Sequence, residues 1–300
     1  MSKTFVFGAG FFGTRIAHDF NCNLVSRSEL FAIPSTPSGW AANMRGWGQG
    51  VDVCNLSQLK CFINLHKPDV VINAVGATGR PNIDWCEFNK EQTLQSNVVA
   101  AINLSTVCSQ QGIYFVHLSS GCIYDGTDGI PNGGFRETDE PNFYKQFYAW
   151  TKIQAEISLI KLPGLILRIR MPIDSVPHER NLIDKLIKYS KVIQKPNSMT
   201  TVPHAINTIQ ALIERRKEGI YNLVNPGMIS ADIILKLYQQ YVDHNYKYEI
   251  MSMEELDSII TSPRSNCYLN TDKLKAEGLE LPHINNAVIE CLKARKLLFF

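Results

Sequence analysis

The sequence predicts an α/β fold: a doubly wound parallel sheet followed by a smaller, mostly helical carboxyl-terminal domain. Three observations predict it. A short apolar strand, Thr4-Phe5-Val6-Phe7, runs into Gly8-Ala9-Gly10-Phe11-Phe12-Gly13 and then into a helix with Phe12, Ile16 and Phe20 at helical spacing. Apolar runs at 70–74, 114–119 and 165–169 then alternate with helical patterns, as in βαβ units. Past Arg170 that alternation weakens, and the chain from 228 on reads as mostly helical. Together these define a Rossmann-type domain over 1–170, with returns to the sheet near 201–225, and an interleaved substrate-binding domain over 171–300.

Each element follows from a local pattern. Cys22-Asn23-Leu24-Val25 is the second strand, ending at Ser26-Arg27-Ser28. Residues 29–50 carry Pro34, Pro37, Gly39, Gly46, Gly48 and Gly50, and read as a loop with one short helix. Val51-Asp52-Val53 reads as a third strand. Leu56 to Leu65 is a helix with Leu56, Leu59, Phe62 and Ile63 inward, and Val70 to Ala74 is the fourth strand. The loop 75–87 leaves the carboxyl end of that strand, where α/β sheets bind ligands. A helix over 91–110, a fifth strand over 114–119, a helix through Tyr148 and a sixth strand over 165–169 complete the first domain. Helices over 180–190 and 204–214 and a final strand over 220–224 follow.

Bulk composition narrows the function. The 300 residues are 45% hydrophobic and 19% charged with a formal charge of +2, which suits an ordinary soluble protein and argues against a nucleic-acid footprint. The cysteines at 22, 54, 61, 86, 108, 122, 267 and 291 are scattered without a C-x-x-C pair. That suits reduced thiols in the cytoplasm rather than a disulfide framework or a metal site. The immediate strand predicts no signal peptide, and no apolar run approaches the ~20 residues of a membrane span.

The glycine motif lies between strand and helix, the context that dinucleotide binding requires. Gly8 makes the turn, Gly10 admits a pyrophosphate, and Gly13 lets helix and strand pack closely. Phe11, Phe12 and Ala74 join this cofactor-binding set. At the end of the second strand an arginine flanked by serines replaces the acidic residue that holds a ribose 2′-hydroxyl. Ser26 and Arg27 therefore point to NADP(H) in preference to NAD(H). The plainer reading of Arg27 is a solvated surface side chain. Further along, Tyr148 and Lys152 share one helix face. A lysine ammonium one turn away stabilises a phenolate, so Tyr148 can donate a proton to a carbonyl oxygen that Ser120 hydrogen-bonds. An exposed helix pair is the plainer reading.

These features resemble the extended short-chain dehydrogenase/reductases, and within them the dTDP-4-dehydrorhamnose reductases. The resemblance is closer to the plant-type bifunctional 3,5-epimerase/4-reductases that make UDP-L-rhamnose from UDP-4-keto-6-deoxy-glucose. The stretches that carry it include Gly79-Arg80-Pro81-Asn82-Ile83-Asp84-Trp85-Cys86-Glu87, Gly121-Cys122-Ile123, Pro141-Asn142-Phe143 and Arg168-Ile169-Arg170-Met171-Pro172-Ile173. They continue in Arg180-Asn181, Pro196-Asn197-Ser198-Met199-Thr200, Asn225-Pro226-Gly227 and Pro263-Arg264-Ser265-Asn266. The resemblance implies that Ser120, Tyr148 and Lys152 form the reductase triad and that Cys122 and Lys185 form the epimerase acid/base pair. It places Asp52 and Val53 beside the adenine and Arg264 and Asn266 at the nucleotide diphosphate, with Thr78, Arg80 and Asn181 also at the substrate. It implies a homodimer. Two departures stand at the cofactor end: a glycine motif one residue tighter than is usual in extended members, and a longer 29–50 segment.

The function expected is therefore conversion of an NDP-4-keto-6-deoxy-glucose to an NDP-L-rhamnose-type sugar with NADPH. The alternatives are a monofunctional 4-reductase and an NADP-binding regulatory subunit without turnover.

Overall fold

A computed structural model describes residues 2–32, 45–126 and 133–299. The strands are β1 Thr4–Phe7, β2 Asn23–Val25, β3 Glu29–Ala32, β4 Arg45–Gln49, β5 Val70–Asn73, β6 Tyr114–Ser120, β7 Leu165–Ile169, β8 Lys191–Val192, β9 Gly219–Asn222 and β10 Glu249–Ile250. The first helices are α1 Phe11–Asp19, α2 Leu56–His66, α3 Trp85–Phe88, α4 Lys90–Leu94 and α5 Ala100–Gln111. They continue as α6 Phe147–Leu159, α7 Leu182–Leu186, α8 Val202–Glu214, α9 Ala231–Tyr241, α10 Met253–Ile259, α11 Asp272–Ala276 and α12 Ile284–Phe299. Eight strands form one sheet in the order β4-β3-β2-β1-β5-β6-β7-β9, and β8 pairs with β10. β1 pairs in parallel with β2 and β5, and β5 with β6, so the doubly wound sheet is present.

The chain divides into two compact units. One holds the residues up to Ser119, Phe147–Leu167 and Leu212–Ile220. The other holds Ser120–Gln146, Arg168–Ala211 and the chain from Tyr221 on. In the first unit the apolar strands bury both faces, as parallel strands must. Phe5, Phe7, Val71 and Phe115 meet Leu59, Phe62 and Ile63 of α2 and Leu104 and Val107 of α5. Asn55 starts α2 by accepting the Gln58 N–H at 3.1 Å, and Gly112, at φ +66°, ends α5. In the second unit a separate core gathers Ile183 and Leu186 of α7, Ile234 and Leu235 of α9, and Ile284, Val288 and Leu292 of α12. No helix among the described residues is long and apolar enough to cross a membrane.

Four expectations need correction. The ends of the stretch 29–50 are not loop: they are strands, β3 antiparallel to β2 and β4 antiparallel to β3. Its middle, with Trp40, lies outside the described residues, as does 127–132. Val51-Asp52-Val53 is not a strand. The Val51 N–H donates to Ser26 O at 3.1 Å, and the chain then turns, with Asp52 Oδ1 accepting the Cys54 N–H at 3.0 Å. The two valines are apolar because they enter the core from that turn. Leu56 faces solvent at 39% exposure, since it occupies the first turn of α2, away from the buried Leu59–Ile63 stripe. The helix expected over 91–110 is interrupted by a π-turn at Gln95–Val99.

Candidate functional site

In the first unit the glycine loop has the geometry of a phosphate cradle. Gly8 sits at φ +107°, and a Cβ there would come within 2.6 Å of the Ala74 carbonyl carbon. A Cβ on Gly13 would fall on the Gly8 carbonyl oxygen and 3.0 Å from Ala74 Cβ, so both positions require glycine. Ala74 thus packs beneath the loop. A Cβ on Gly10 would meet nothing within 4 Å. The position that needs no glycine for packing is the one that leaves room for a ligand against the backbone. Gly10 also precedes α1 without a side-chain cap, so the N-terminal turn of that helix is open to an anion. Phe11 is half-buried, whereas Phe12 points into the core and can offer a ligand only its backbone.

The cradle continues into a pocket lined by Val25, Ser26, Arg27, Asp52, Val53 and Ser96. Ser26 Oγ accepts the Glu29 N–H at 2.9 Å, which fixes the β2–β3 turn. The Arg27 side chain is 76% exposed, with Nε 4.0 Å from Asp52 Oδ2. An arginine held so loosely is available to a phosphate at the pocket mouth. These residues fit a dinucleotide with a 2′-phosphate.

Tyr148 and Lys152 lie one turn apart on α6, 7% and 4% exposed. Both are buried, which overturns the surface-pair reading. The Glu87 carboxylate accepts the Phe147 N–H at 2.7 Å and so caps the turn that carries Tyr148. Lys152 Nζ donates to Leu118 O on β6 at 3.4 Å. Asn97, on the π-turn and wholly buried, ties this helix to the loop after β5. Its Oδ1 accepts the Ala77 N–H at 2.7 Å, and its Nδ2 donates to Thr151 Oγ1 at 3.0 Å. Sequence reasoning missed Asn97, because a lone asparagine in a helical pattern gives no hint of a π-turn. In the same loop Thr78 is half-buried and Arg80 exposed.

The second unit carries the remaining residues. Ser120 ends β6, and its Oγ accepts the Cys122 N–H at 3.1 Å, opening the 3₁₀ turn Gly121–Ile123. Cys122 is half-buried there. Its Sγ accepts a hydrogen bond from Arg170 Nη1 at 3.3 Å. Lys185 sits on α7, half-buried, and among the described residues its amine has no hydrogen-bond or ion-pair partner. Burial first, then the Arg180 charge, lower its pKa from the usual lysine value, against an opposing effect of Glu179. Neighbouring Asp184 is held by both guanidinium Nη atoms of Arg295 on α12.

Asn181 takes a different place from the one expected. It is wholly buried and caps α7: Oδ1 accepts the Ile183 N–H at 3.2 Å, and Nδ2 donates to Asp174 O and Val176 O at 2.8 and 2.9 Å. With its hydrogen bonds used internally, it orients the helix of Lys185. Asn266 is likewise engaged, accepting from Asn197 Nδ2 at 2.7 Å and donating to Arg264 O at 3.1 Å. Arg264 is half-buried, with Nη1 donating to Ser262 O at 3.0 Å.

The profile of the NAD dependent epimerase/dehydratase family matches residues 5–162. The chain is 39% identical over 229 residues to a bifunctional dTDP-4-dehydrorhamnose 3,5-epimerase/dTDP-4-dehydrorhamnose reductase of Arabidopsis thaliana, covering 75% of this chain and 76% of that one. Among solved structures, the L780 UDP-rhamnose synthase of Acanthamoeba polyphaga mimivirus superposes with a TM-score of 0.83 at 26% identity, covering 98% of this chain and 100% of that one. The fold is also that of a dTDP-4-dehydrorhamnose reductase from Bacillus anthracis in complex with NADP, with a TM-score of 0.77 at 17% identity over 100% of this chain and 98% of that one. The motif at Gly8–Gly13 and the buried Tyr148–Lys152 helix thus stand in a chain that belongs to the NAD dependent epimerase/dehydratase family.

Proposed function

We propose that the protein is a nucleotide-sugar 3,5-epimerase/4-reductase that converts an NDP-4-keto-6-deoxy-glucose to an NDP-L-rhamnose-type sugar with NADPH. The observation that carries this reading is the presence of two kinds of proton carrier. One is the buried Tyr148–Lys152 pair, and the other is the Cys122 thiol with the Lys185 amine, which has no hydrogen-bond or ion-pair partner among the described residues. The named activity of the plant relative and that of the viral synthase support it.

In this reading Gly8, Gly10 and Gly13 with the N-terminus of α1 hold the pyrophosphate, Asp52 and Val53 border the adenine, and Ser26 and Arg27 take the 2′-phosphate. The bound NADPH supplies the hydride for the C4 ketone. Tyr148 gives a proton to the C4 oxygen, Lys152 stabilises the phenolate that remains, and Ser120 hydrogen-bonds the same oxygen. The ketone also acidifies the protons on C3 and C5. Inverting those carbons takes a base on one face of the ring and an acid on the other, the roles of Cys122 and Lys185. A lysine whose pKa is lowered by burial suits that work, since less is lost when its ammonium gives up a proton. Thr78, Arg80, Arg264 and Asn266 contribute to holding the nucleotide sugar, and Asn181 orients α7. The first unit serves as the cofactor domain and the second as the substrate domain, in a cytoplasmic homodimer.

Incubation with NADPH and either UDP- or dTDP-4-keto-6-deoxy-glucose tests the reading. The expected product has the L-rhamno proton couplings. An unepimerised 6-deoxyhexose would reduce the protein to a 4-reductase, and cofactor binding without consumption on either substrate would make it a regulatory subunit.

A further inference from the structure

Arg170 follows β7 in the second unit, and the reaction described above gives it no part. Its side chain is 2% exposed. Nε and Nη2 donate to Asn197 Oδ1 at 3.2 and 2.6 Å, and Nη2 also donates to Ser265 O at 2.6 Å. Nη1 donates to Ser265 Oγ at 3.0 Å and to Cys122 Sγ at 3.3 Å. The acceptors are themselves fixed. Ser265 Oγ donates to Tyr124 O, and Asn197 Oδ1 also accepts the Cys267 N–H at 2.9 Å. A guanidinium clamped on Asn197 and Ser265 cannot turn away from the sulfur.

A guanidinium only donates, so the sulfur beside it must be the acceptor, and a thiolate accepts far better than a thiol. A second thiol, Cys267, lies in the same network, with its Sγ on Gly121 O at 3.4 Å. Burial pushes Cys267 up to about 11, against the lowering effect of Arg170, so it stays protonated. Asp125 also faces the network, its Oδ1 accepting the Asn266 N–H at 2.8 Å. Of the two sulfurs, the half-buried Cys122 is the one that a ligand can reach.

We propose that Arg170 is a positioning residue for Cys122: its Nη1 hydrogen bond, held in place by Asn197 and Ser265, aims the sulfur that accepts a ring proton. The role in epimerisation rests on the function proposed above, but the effect on the sulfur does not. The test is the rate at which iodoacetamide alkylates Cys122 in the full chain without substrate, read by peptide mass spectrometry across a pH series. In Arg170→Met, alkylation at neutral pH falls about 10-fold. In Arg170→Lys, which keeps the charge, the rate stays within about 3-fold of the parent. An unchanged rate in Arg170→Met, or equal losses in both variants, overturns the proposal. If Arg170→Met does not fold, Asn197→Asp decides. A carboxylate at 197 binds the guanidinium more tightly and draws it from the sulfur, so alkylation at neutral pH slows; an unchanged rate overturns the assignment. A shift in these variants from a chain that shows no exchange at C3 or C5 would remove the epimerase reading and leave the Arg170–Cys122 pair standing.

Discussion

Lys185 and Lys152 show how surroundings give one side chain two uses. Lys152 is buried and anchored on Leu118 O, so it serves as a fixed charge one turn from Tyr148. Lys185 is half-buried and has no hydrogen-bond or ion-pair partner among the described residues, and burial and Arg180 lower its pKa, which supports the acid/base role proposed for it. Arginine cannot lose its proton in a protein. Lys185→Arg should therefore stop solvent exchange at the sugar ring while leaving NADPH affinity unchanged, as measured by NMR and by titration. Tyr148→Phe should lower kcat for reduction by about 10²- to 10⁴-fold, the usual worth of a positioned general acid, with NADPH affinity within about 3-fold of the parent. A kcat that barely changes would give the proton to another group.

At the scale of elements, the glycine loop separates packing from binding. Gly13→Ala sets a methyl on the Gly8 carbonyl and should lower the melting temperature or prevent folding. Gly10→Ala sets its methyl in open space, so stability should hold while NADPH affinity falls about 10-fold or more. Similar losses of stability in both variants would contradict this division. Such loops were legible in the sequence because glycine spacing and the change from strand to helix are local signals. The buried strands β1, β5, β6 and β7 were legible for the same reason, each a continuous apolar run. Residues 29–53 were not. The antiparallel β3 and β4 depend on pairing with each other, and Gly46 and Gly48 within β4 mimic a loop. Val51 and Val53 are apolar through burial in a turn, which a three-residue run cannot distinguish from a strand. Arg170 was visible only within a stretch that carried the family resemblance, because its partners Asn197, Ser265 and Cys122 are far apart in the chain.

At the scale of the molecule, the two units have cores of different origin. The first is built on the sheet, and the second on α7, α9 and α12. The sheet core carries a titratable cost. Asn73 Oδ1 accepts the Val75 N–H, so its amide nitrogen faces His117 Nδ1 at 3.0 Å and the ring proton lies on Nε2. His117 is wholly buried; burial first, then the Lys152 charge, hold its pKa well below the usual histidine value. It stays neutral in the fold, while in the unfolded chain it binds a proton near pH ~6.5. Below that value the unfolded state holds the extra proton, so the contribution of His117 is full above it and is lost as the pH falls. The limiting slope is about 1.4 kcal/mol per pH unit for this one group. Urea unfolding of the parent and His117→Gln through this range should show the variant losing that part of the slope; equal slopes would contradict the neutral assignment.

The two pairs proposed as proton carriers separate cleanly in one measurement. A 4-keto-6-deoxy-glucose nucleotide is incubated with the protein in D₂O without NADPH, and the ring protons are followed by NMR. The C3 and C5 signals should disappear with the parent protein and with Tyr148→Phe, but persist with Cys122→Ala. Signals that persist with the parent on both the UDP and dTDP substrates, although NADPH is consumed once added, would contradict the epimerase half and leave Cys122 and Lys185 as parts of the second unit's framework.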